Sequence, residues 1–259
     1  MSLIEIEHAG KTFHTAKGTD FTALTDVNLT IEEGEFICLL GPSGCGKSTL
    51  LAAMAGFDPV TEGSVRIEGK EVTGTNPAYV TIFQQYGLFP WRTVLKNVEL
   101  GLEAKGTPKA ERERIAREYL DMVGLSKFVD AHPSELSGGM QQRVAIARGL
   151  AVEPEILFMD EPFGALDAIT RMKLQEDVLR IAKETGRTVV FVTHDIEEAV
   201  YLSDRIVVMT PNPGRVKQVM RNVRSWRSRN RTDGDFLELR DRVFDAFHMK
   251  VEEPIEYNL

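Results

Sequence analysis

The sequence predicts an α/β fold. Apolar strand-like segments alternate with amphipathic helical segments over most of the chain. The glycine-rich segment Gly41–Thr49 joins one such strand to a helix, and the apolar run Ile156–Met159 ends in Asp160-Glu161. Because ligands of α/β proteins bind beyond the carboxyl ends of the strands, both features predict one site at that edge of the sheet.

Composition and charge narrow the class of protein. The chain has 259 residues, and its 42% hydrophobic content is enough for a sizeable core. It has 39 acidic and 31 basic residues, and this net charge of −8 argues against broad affinity for nucleic acid or anionic membrane. Neither Cys38 nor Cys45 is placed for a disulfide, which predicts a reducing cytosol. No apolar run reaches the roughly 20 residues that span a bilayer, and no signal peptide is apparent, so we expect a soluble protein.

The first 37 residues alternate in the manner of β-strands up to a turn at Gly34. Phe13 lies between two such runs, and composition alone favours an ordinary core aromatic there. His14 is interpreted as a loop histidine.

The central segment matches the Gly-x-x-x-x-Gly-Lys-Ser pattern of a Walker A phosphate-binding loop, Gly41-Pro42-Ser43-Gly44-Cys45-Gly46-Lys47-Ser48-Thr49. Its glycines allow successive N–H groups to point at phosphate oxygens, and the following helix adds the positive end of its dipole. Lys47 would reach the β- and γ-phosphates, and the Ser48 hydroxyl would hold Mg²⁺. A chance glycine-rich turn is the alternative, and the Lys-Ser pair favours nucleotide binding.

Further elements follow in order. A hairpin strand is predicted over Thr61–Gly69, and a strand over Tyr79–Phe83 leads into Gln84. Helices are predicted between about residues 95 and 150, including Ala110–Val123 and one that Ser137 caps. The Ser-Gly-Gly start of the latter is either an anion-receptive helix start or a simple turn.

The α/β pattern then resumes. Asp160 is the expected Mg²⁺ partner at the tip of its strand. A helix is predicted over Arg171–Lys183, and the strand Thr188–Thr193 ends at His194, for which a structural and a catalytic role are equally open. Asp195 is predicted to cap the helix Ile196–Leu202.

The C-terminal segment is less informative. A strand is predicted over Arg205–Met209, a turn over Pro211–Gly214, and a helix over Phe236–Phe247. Between Arg221 and Arg231 five arginines surround a tryptophan. We expect a solvated or partner-facing segment, and nucleic-acid binding is the weaker alternative.

This ordered set of motifs resembles the ATP-binding subunit of ABC transporters over nearly the whole chain. The signature, Q-loop and switch histidine in this order are more specific than the two Walker motifs, which several families share. The matching motifs are Walker A at Gly41–Thr49, the Q-loop at Gln84, the signature at Leu136–Met140, Walker B at Ile156–Asp160 followed by Glu161, the D-loop at Asp167 and the switch histidine His194.

The resemblance implies ATP and Mg²⁺ as cofactors and a catalytic role for three residues. Gln84 would sense Mg²⁺ and the attacking water, Glu161 would be the general base or water-orienting group, and His194 would contact the γ-phosphate. Mg²⁺ would be held by Ser48, Gln84 and Asp160. The remaining implied nucleotide contacts are Phe13, which would stack on adenine against the composition-based interpretation, the Walker A residues, Ser137, Gly138, Gly139, Met140 and Asp167.

The implied fold is a P-loop NTPase (RecA-like) core with an antiparallel β subdomain and an inserted α-helical signature subdomain. The chain would be a single ABC ATPase domain over 1–259. Core and β subdomain would occupy 1–85 and 154–210, the helical subdomain 86–153, and a C-terminal extension 211–259.

The family also implies partners. Two copies would share two ATPs head-to-tail, with Ser137 and Gly139 of one chain closing over ATP held by Lys47 of the other. Met140 stands where Gln is commoner, a change we expect to be tolerated. Integral membrane permease subunits would dock near Tyr86–Trp91, where Trp91 is either an interface anchor or a core residue. A periplasmic or extracellular solute-binding protein would act indirectly, and no nucleic acid is expected.

Three segments, Leu88–Trp91, Pro162–Asp167 and Pro211–Gly214, resemble the nitrate/sulfonate/taurine group of bacterial importers. That group implies an ATPase peripheral to the cytoplasmic side of the inner membrane, which powers uptake of a small anionic solute. The alternatives are an importer ATPase for another solute, a soluble ABC ATPase acting on nucleic acid or ribosomes, and a nucleotide-binding regulator without turnover.

Overall fold

Two β-sheets and a set of helices make up the computed structural model, which describes residues 2–14 and 18–248. The strands are Ser2–His14 (β1), Asp20–Glu32 (β2), Phe36–Leu40 (β3), Glu62–Ile67 (β4), Lys70–Glu71 (β5), Tyr79–Ile82 (β6), Ile156–Asp160 (β7), Thr188–Thr193 (β8), Arg205–Thr210 (β9) and Arg215–Arg221 (β10). The helices are Lys47–Met54 (α1), Val94–Ala104 (α2), Lys109–Met122 (α3), Gly138–Ala151 (α4), Ala168–Glu184 (α5), Ile196–Leu202 (α6) and Gly234–His248 (α7).

The central sheet has the strand order β10-β9-β3-β8-β7-β6, and β9, β3, β8, β7 and β6 run parallel. Every residue of β3 and of β8 is buried. This is why β3 is entirely apolar and β8 has the apolar run Val189–Val192 between two terminal threonines, since a parallel sheet is covered on both faces. The carboxyl ends of β6, β3, β7 and β8 therefore lie along one edge, which is where the sequence predicted the site.

The second sheet is antiparallel, with the order β2-β1-β4-β5. Its alternating residues, such as Ile4, Ile6 and Ile31, face a core shared with α1 and one face of the central sheet. His14, expected in a loop, instead ends β1, where it pairs with Asp20 at 2.7 Å.

Helices α2, α3 and α4 pack on one another, and α4 also contacts β6. Val98, Leu120 and Ile146 are fully buried between these elements and the sheet. Helix α5 begins three residues before its predicted start, because the Asp167 side chain accepts a hydrogen bond from the Thr170 N–H at 3.0 Å and caps it.

The structure of the C-terminal segment differs from the sequence-based interpretation in two respects. Strand β10, which was not predicted, adds antiparallel to β9 at the sheet edge. The prediction of a solvated or partner-facing arginine segment is wrong for Arg229, whose side chain is 2% exposed. Arg229 donates to the carboxylate of Asp204 at 2.8 Å and to the Leu202 carbonyl at 2.8 Å, so it fastens the segment to the core.

Candidate functional site

The glycine-rich loop folds tightly around its own lysine. Gly46 has φ 88°, and a Cβ there would lie 2.6 Å from Leu24 Cδ2, so no larger residue fits this position. Lys47 is 5% exposed, and its Nζ donates to the carbonyl oxygens of Gly41 at 2.7 Å and Pro42 at 3.0 Å. The ammonium group therefore lies inside the curve of the loop.

Gly214, which sequence reasoning did not assign to the site, packs against this loop. Gly214 donates to the Ala23 carbonyl at 2.9 Å and accepts from the Thr25 N–H at 3.0 Å. A Cβ on Gly214 would lie 2.2 Å from the Cys45 carbonyl oxygen, which requires glycine. The turn was visible in the sequence, but no local signal shows that it packs on a loop about 170 residues earlier.

Ser48 and Asp160 form an oxygen-rich pair where α1 meets β7. The Ser48 hydroxyl donates to Asp160 Oδ1 at 3.0 Å. Burial raises the pKa of Asp160, an effect that the Ser48 hydrogen bond and Lys47 oppose and Glu161 reinforces. Hydroxyl and carboxylate oxygens are the hard ligands that Mg²⁺ accepts beside substrate phosphates, so these residues fit that ion. Within residues 2–14 and 18–248, no cluster of three or more His, Cys, Asp and Glu side chains is arranged for a metal.

Glu161 is held in an unusual backbone conformation at the end of β7. Its φ is 44°, a left-handed value that costs about 1–2 kcal/mol for a residue with a Cβ. Its N–H donates to the Val192 carbonyl of neighbouring β8 at 3.0 Å. The carboxylate oxygen Oε1 consequently lies 3.2 Å from Nδ1 of His194, the residue that follows β8. The two predicted catalytic side chains are in contact.

Gln84 follows β6 at the same edge of the sheet and is exposed. Strands β6 and β7 are parallel, and Ile82 of β6 is aligned with Met159 of β7. Gln84 and Glu161 each come two residues after this aligned pair, so they leave the sheet at the same level. The structure thus brings the lysine, serine, two acids, glutamine and histidine of the predicted site to one end of the central sheet.

The signature residues Ser137–Met140 lie on a different element, at the start of helix α4. Ser137 caps α4 as predicted, with its hydroxyl accepting from the Met140 N–H at 3.3 Å. A Cβ on Gly138 would meet the Tyr86 hydroxyl at 2.7 Å, and one on Gly139 would meet the Ala165 carbonyl at 3.1 Å. Between described residues, no hydrogen bond or ion pair joins Ser137–Met140 to Gly41–Thr49.

Asp167 lies beside this signature helix start, since it follows the Ala165–Leu166 turn that Gly139 faces. The hydrogen bond from the Thr170 backbone N–H lowers the pKa of the Asp167 carboxyl group. Its charged form is therefore favoured at the cap of α5.

Two aromatic residues are more exposed than a core position allows. Phe13 is 37% exposed near the end of β1, with Lys11 Nζ 5.1 Å from its ring centroid, so the composition-based core interpretation is wrong. Trp91 is 72% exposed and packs edge-on against Phe89 at 5.3 Å between centroids, so it is not a core residue. Both rings have faces available for other molecules.

The comparisons with known proteins decide the family. A family model described as ABC transporter matches residues 24–164. The chain belongs to the ABC transporter family. It is 53% identical over 248 residues to the uncharacterized ABC transporter ATP-binding protein MJ0412 of Methanocaldococcus jannaschii, covering 96% of this chain and 92% of that one. It is 46% identical over 253 residues to the bicarbonate transport ATP-binding protein CmpD of Synechocystis sp., covering 95% and 89%.

A solved ABC structure has a similar fold. A dimeric post-hydrolysis state of the ATP-binding cassette MJ0796 bound to ADP and Pi matches this ABC protein with a TM-score of 0.78 and 37% identity, covering 86% of this chain and all of that one. The predicted family, the P-loop α/β fold and the ATPase activity are confirmed. This chain is an ABC ATPase subunit of a transporter. No helix in the described ranges has the length and apolar character that crossing a membrane requires.

Proposed function

We propose that this ABC ATPase powers a bacterial importer for a small anionic solute of the nitrate, sulfonate, taurine or bicarbonate kind. The similarity to a bicarbonate transport ATP-binding protein supports an anionic solute. The observation that carries the proposal is the separation of two half-sites on one chain, with the phosphate loop and acids at the sheet edge and the signature on α4.

ATP would lie against the phosphate loop. The Lys47 ammonium exchanges its bonds to Gly41 and Pro42 for phosphate oxygens, and the Phe13 ring stacks on adenine. Ser48, Asp160 and Gln84 would hold Mg²⁺, which would neutralise negative charge on the phosphates. The contact between Ser48 and Asp160 supports this ligand set.

Hydrolysis is assigned to Glu161, His194 and Gln84. The Glu161 carboxylate accepts a proton from, or orients, the attacking water, and Gln84 positions the same water. His194 would contact the γ-phosphate. The 3.2 Å contact between Glu161 and His194 supports their action on one water and one phosphoryl group.

A second copy of the chain completes each site. Ser137, Gly138, Gly139 and Met140 of one protomer contact the γ-phosphate of ATP bound by the other, and Asp167 lies at the same interface. The dimeric cassette structure supports this arrangement. Closure on ATP and opening after hydrolysis supply the motion that drives transport.

Integral membrane permease subunits are the proposed docking partners, at the surface that contains Trp91. This places the ATPase peripherally on the cytoplasmic side of the inner membrane, with the solute-binding protein acting through the permease. The exposure of Trp91 and its packing on Phe89 support an aromatic anchor there. The division into 1–85 with 154–210, 86–153 and 211–259 stays a prediction.

Reconstitution tests the proposal. The full chain is co-purified with its permease in lipid vesicles, and ATP-dependent uptake of labelled bicarbonate, nitrate and taurine is measured in the presence of the binding protein. Uptake of one anion, lost in the Glu161→Gln variant, is expected. Recovery with ribosomes or DNA and never with an integral membrane protein would contradict the importer. Unchanged ATP hydrolysis by Glu161→Gln would favour a regulator.

A further inference from the structure

His194 lies between two residues whose positions are fixed by hydrogen bonds. Thr193 is the last residue of β8, and its hydroxyl oxygen accepts from the Asp195 N–H at 3.0 Å. Asp195 caps α6 as predicted, accepting from the N–H groups of Glu197 at 2.8 Å and Glu198 at 3.2 Å. The position of His194 is therefore set by the position of this short connection between β8 and α6.

A buried carboxylate stabilises the connection between β8 and α6 from the interior of the protein. Glu198 is 7% exposed, and its Oε2 accepts from the Thr193 hydroxyl at 2.7 Å. Its Oε1 accepts from Nε2 of Gln175, a 2% exposed residue of α5, at 2.9 Å. Neither Glu198 nor Gln175 belongs to the motifs of the proposed site.

The chain of contacts continues into the C-terminal segment. Gln175 Oε1 accepts from the Arg231 guanidinium at 2.5 Å. The same guanidinium lies 3.6 Å from the ring centroid of Tyr201 on α6, which fixes it against the helix that contains Glu198. Arg231 is thus linked to the neighbour of His194 through two buried side chains.

The hydrogen bonds of this network are all donated in the direction of Glu198. Arg231 donates to Gln175, Gln175 donates to Glu198, and from the other side the Asp195 N–H donates to Thr193, which donates to Glu198. A group that accepts on both oxygens is required at the centre, and an ionised carboxylate meets that requirement. Because a buried charge costs stability unless it is well bonded, its presence points to a positional role.

We propose that Glu198 is a positioning residue for His194, and that Arg231 of the C-terminal segment supports Glu198 through Gln175. The inference rests on the proposed role of His194 in hydrolysis. The C-terminal segment thereby takes part in setting the rate of turnover, although none of its described residues up to 248 is assigned a side-chain contact in the nucleotide site.

The donor and acceptor pattern permits a sharp exchange experiment. In Glu198→Gln the new amide either places one donor against another or leaves the Thr193 hydroxyl hydrogen without its acceptor. Gln175→Glu alone places two carboxylates side by side. In the double variant the carboxylate at position 175 accepts from Arg231 and from the amide at position 198, whose oxygen accepts from Thr193, so each polar atom again has a partner.

Steady-state ATP hydrolysis by the full chain is measured for both single variants and the double variant. We expect each single change to lower kcat about tenfold with KM for ATP changed less than about twofold, and the double variant to recover to within about threefold of wild type. Full kcat in Glu198→Gln, or a double variant no better than the singles although it is folded by circular dichroism, would overturn the inference.

Arg231→Leu provides a second test that leaves the buried pair intact. It is compared with Arg227→Leu, an exposed arginine of the same segment that stacks on Trp226 at 5.0 Å. A severalfold loss of kcat in the first and none in the second is expected, and equal kcat values would overturn the role of Arg231. His194→Ala is assayed alongside: if it keeps full kcat, the proposed function fails, whereas a loss there with unchanged Glu198→Gln refutes only this inference.

Discussion

The carboxylate of Glu161 and the imidazole of His194 are 3.2 Å apart at the ends of two adjacent parallel strands. The carboxylate is held by its backbone and is 21% exposed, whereas the imidazole is 60% exposed. A fixed carboxylate and a more accessible imidazole thus meet where the γ-phosphate of ATP is proposed to lie. This pair is the basis of the proposed hydrolytic mechanism.

Glu161→Gln is expected to slow ATP hydrolysis by about a hundredfold or more, because general-base catalysis contributes factors of that order. ATP binding should be retained, since an amide preserves the size of the side chain and removes its negative charge near the phosphate. Phosphate release in a single turnover measures the effect. The exposed Glu153→Gln is the matched control, and equal rates in the two variants would contradict the role of Glu161.

Lys47→Ala is expected to weaken ATP binding about tenfold or more and to abolish turnover, because charge-assisted hydrogen bonds to phosphate contribute about 1.5–3 kcal/mol. Titration with a fluorescent ATP analogue measures the affinity. Lys70→Ala, at an exposed position in β5, should behave as wild type. Normal hydrolysis by the Lys47 variant would refute its contact with phosphate.

Asp160→Asn should change the pH dependence of stability in a defined direction. Burial raises the folded-state pKa of Asp160 above its ordinary value of 3.8, so its ionisation opposes folding and stability falls as pH rises through that pKa. An asparagine can still accept from Ser48 but has no charge. The gain in free energy of unfolding over wild type should therefore be larger at pH 8 than at pH 4, measured by urea unfolding without nucleotide. An opposite trend would contradict the assigned shift.

Trp91→Ala should separate hydrolysis from transport. Because Trp91 is 72% exposed, its removal should change the free energy of unfolding by less than about 0.5 kcal/mol and leave hydrolysis by the isolated chain unchanged. Co-purification with the permease should fall, as expected for an aromatic anchor. Val223→Ala, at a 92% exposed position, is the control, and undiminished co-purification of the Trp91 variant would place the docking surface elsewhere.

Much of the fold could be predicted from the sequence because its signals are local. The strand Thr188–Thr193 and the helix Ile196–Leu202 have the predicted bounds, since a β-branched run and an aspartate cap mark them. The family resemblance brought Glu161, His194 and Gln84 into one hypothesis, and the parallel register explains why all three lie at the same edge of the sheet.

What escaped prediction depends on contacts between distant segments. Arg229 is buried by Asp204 and the end of α6, and no local pattern distinguishes it from the exposed Arg227 of the same segment. The Gly214 contact with Cys45 and the link from Arg231 to Glu198 are equally non-local. Strand β10 was missed because its charged, half-exposed residues show weak alternation at a sheet edge.

Each ATP is proposed to bind between the phosphate loop of one chain and the signature of another. Sedimentation of Glu161→Gln with ATP tests it most directly, with the same chain carrying Ser137→Arg as the comparison. We predict a dimer of about twice the 29.0 kDa chain with ATP, a monomer with ADP, and a monomer that still binds ATP when Ser137→Arg is added. A Glu161→Gln chain that stays monomeric with ATP bound, or a dimer that persists with Ser137→Arg, would contradict the shared site.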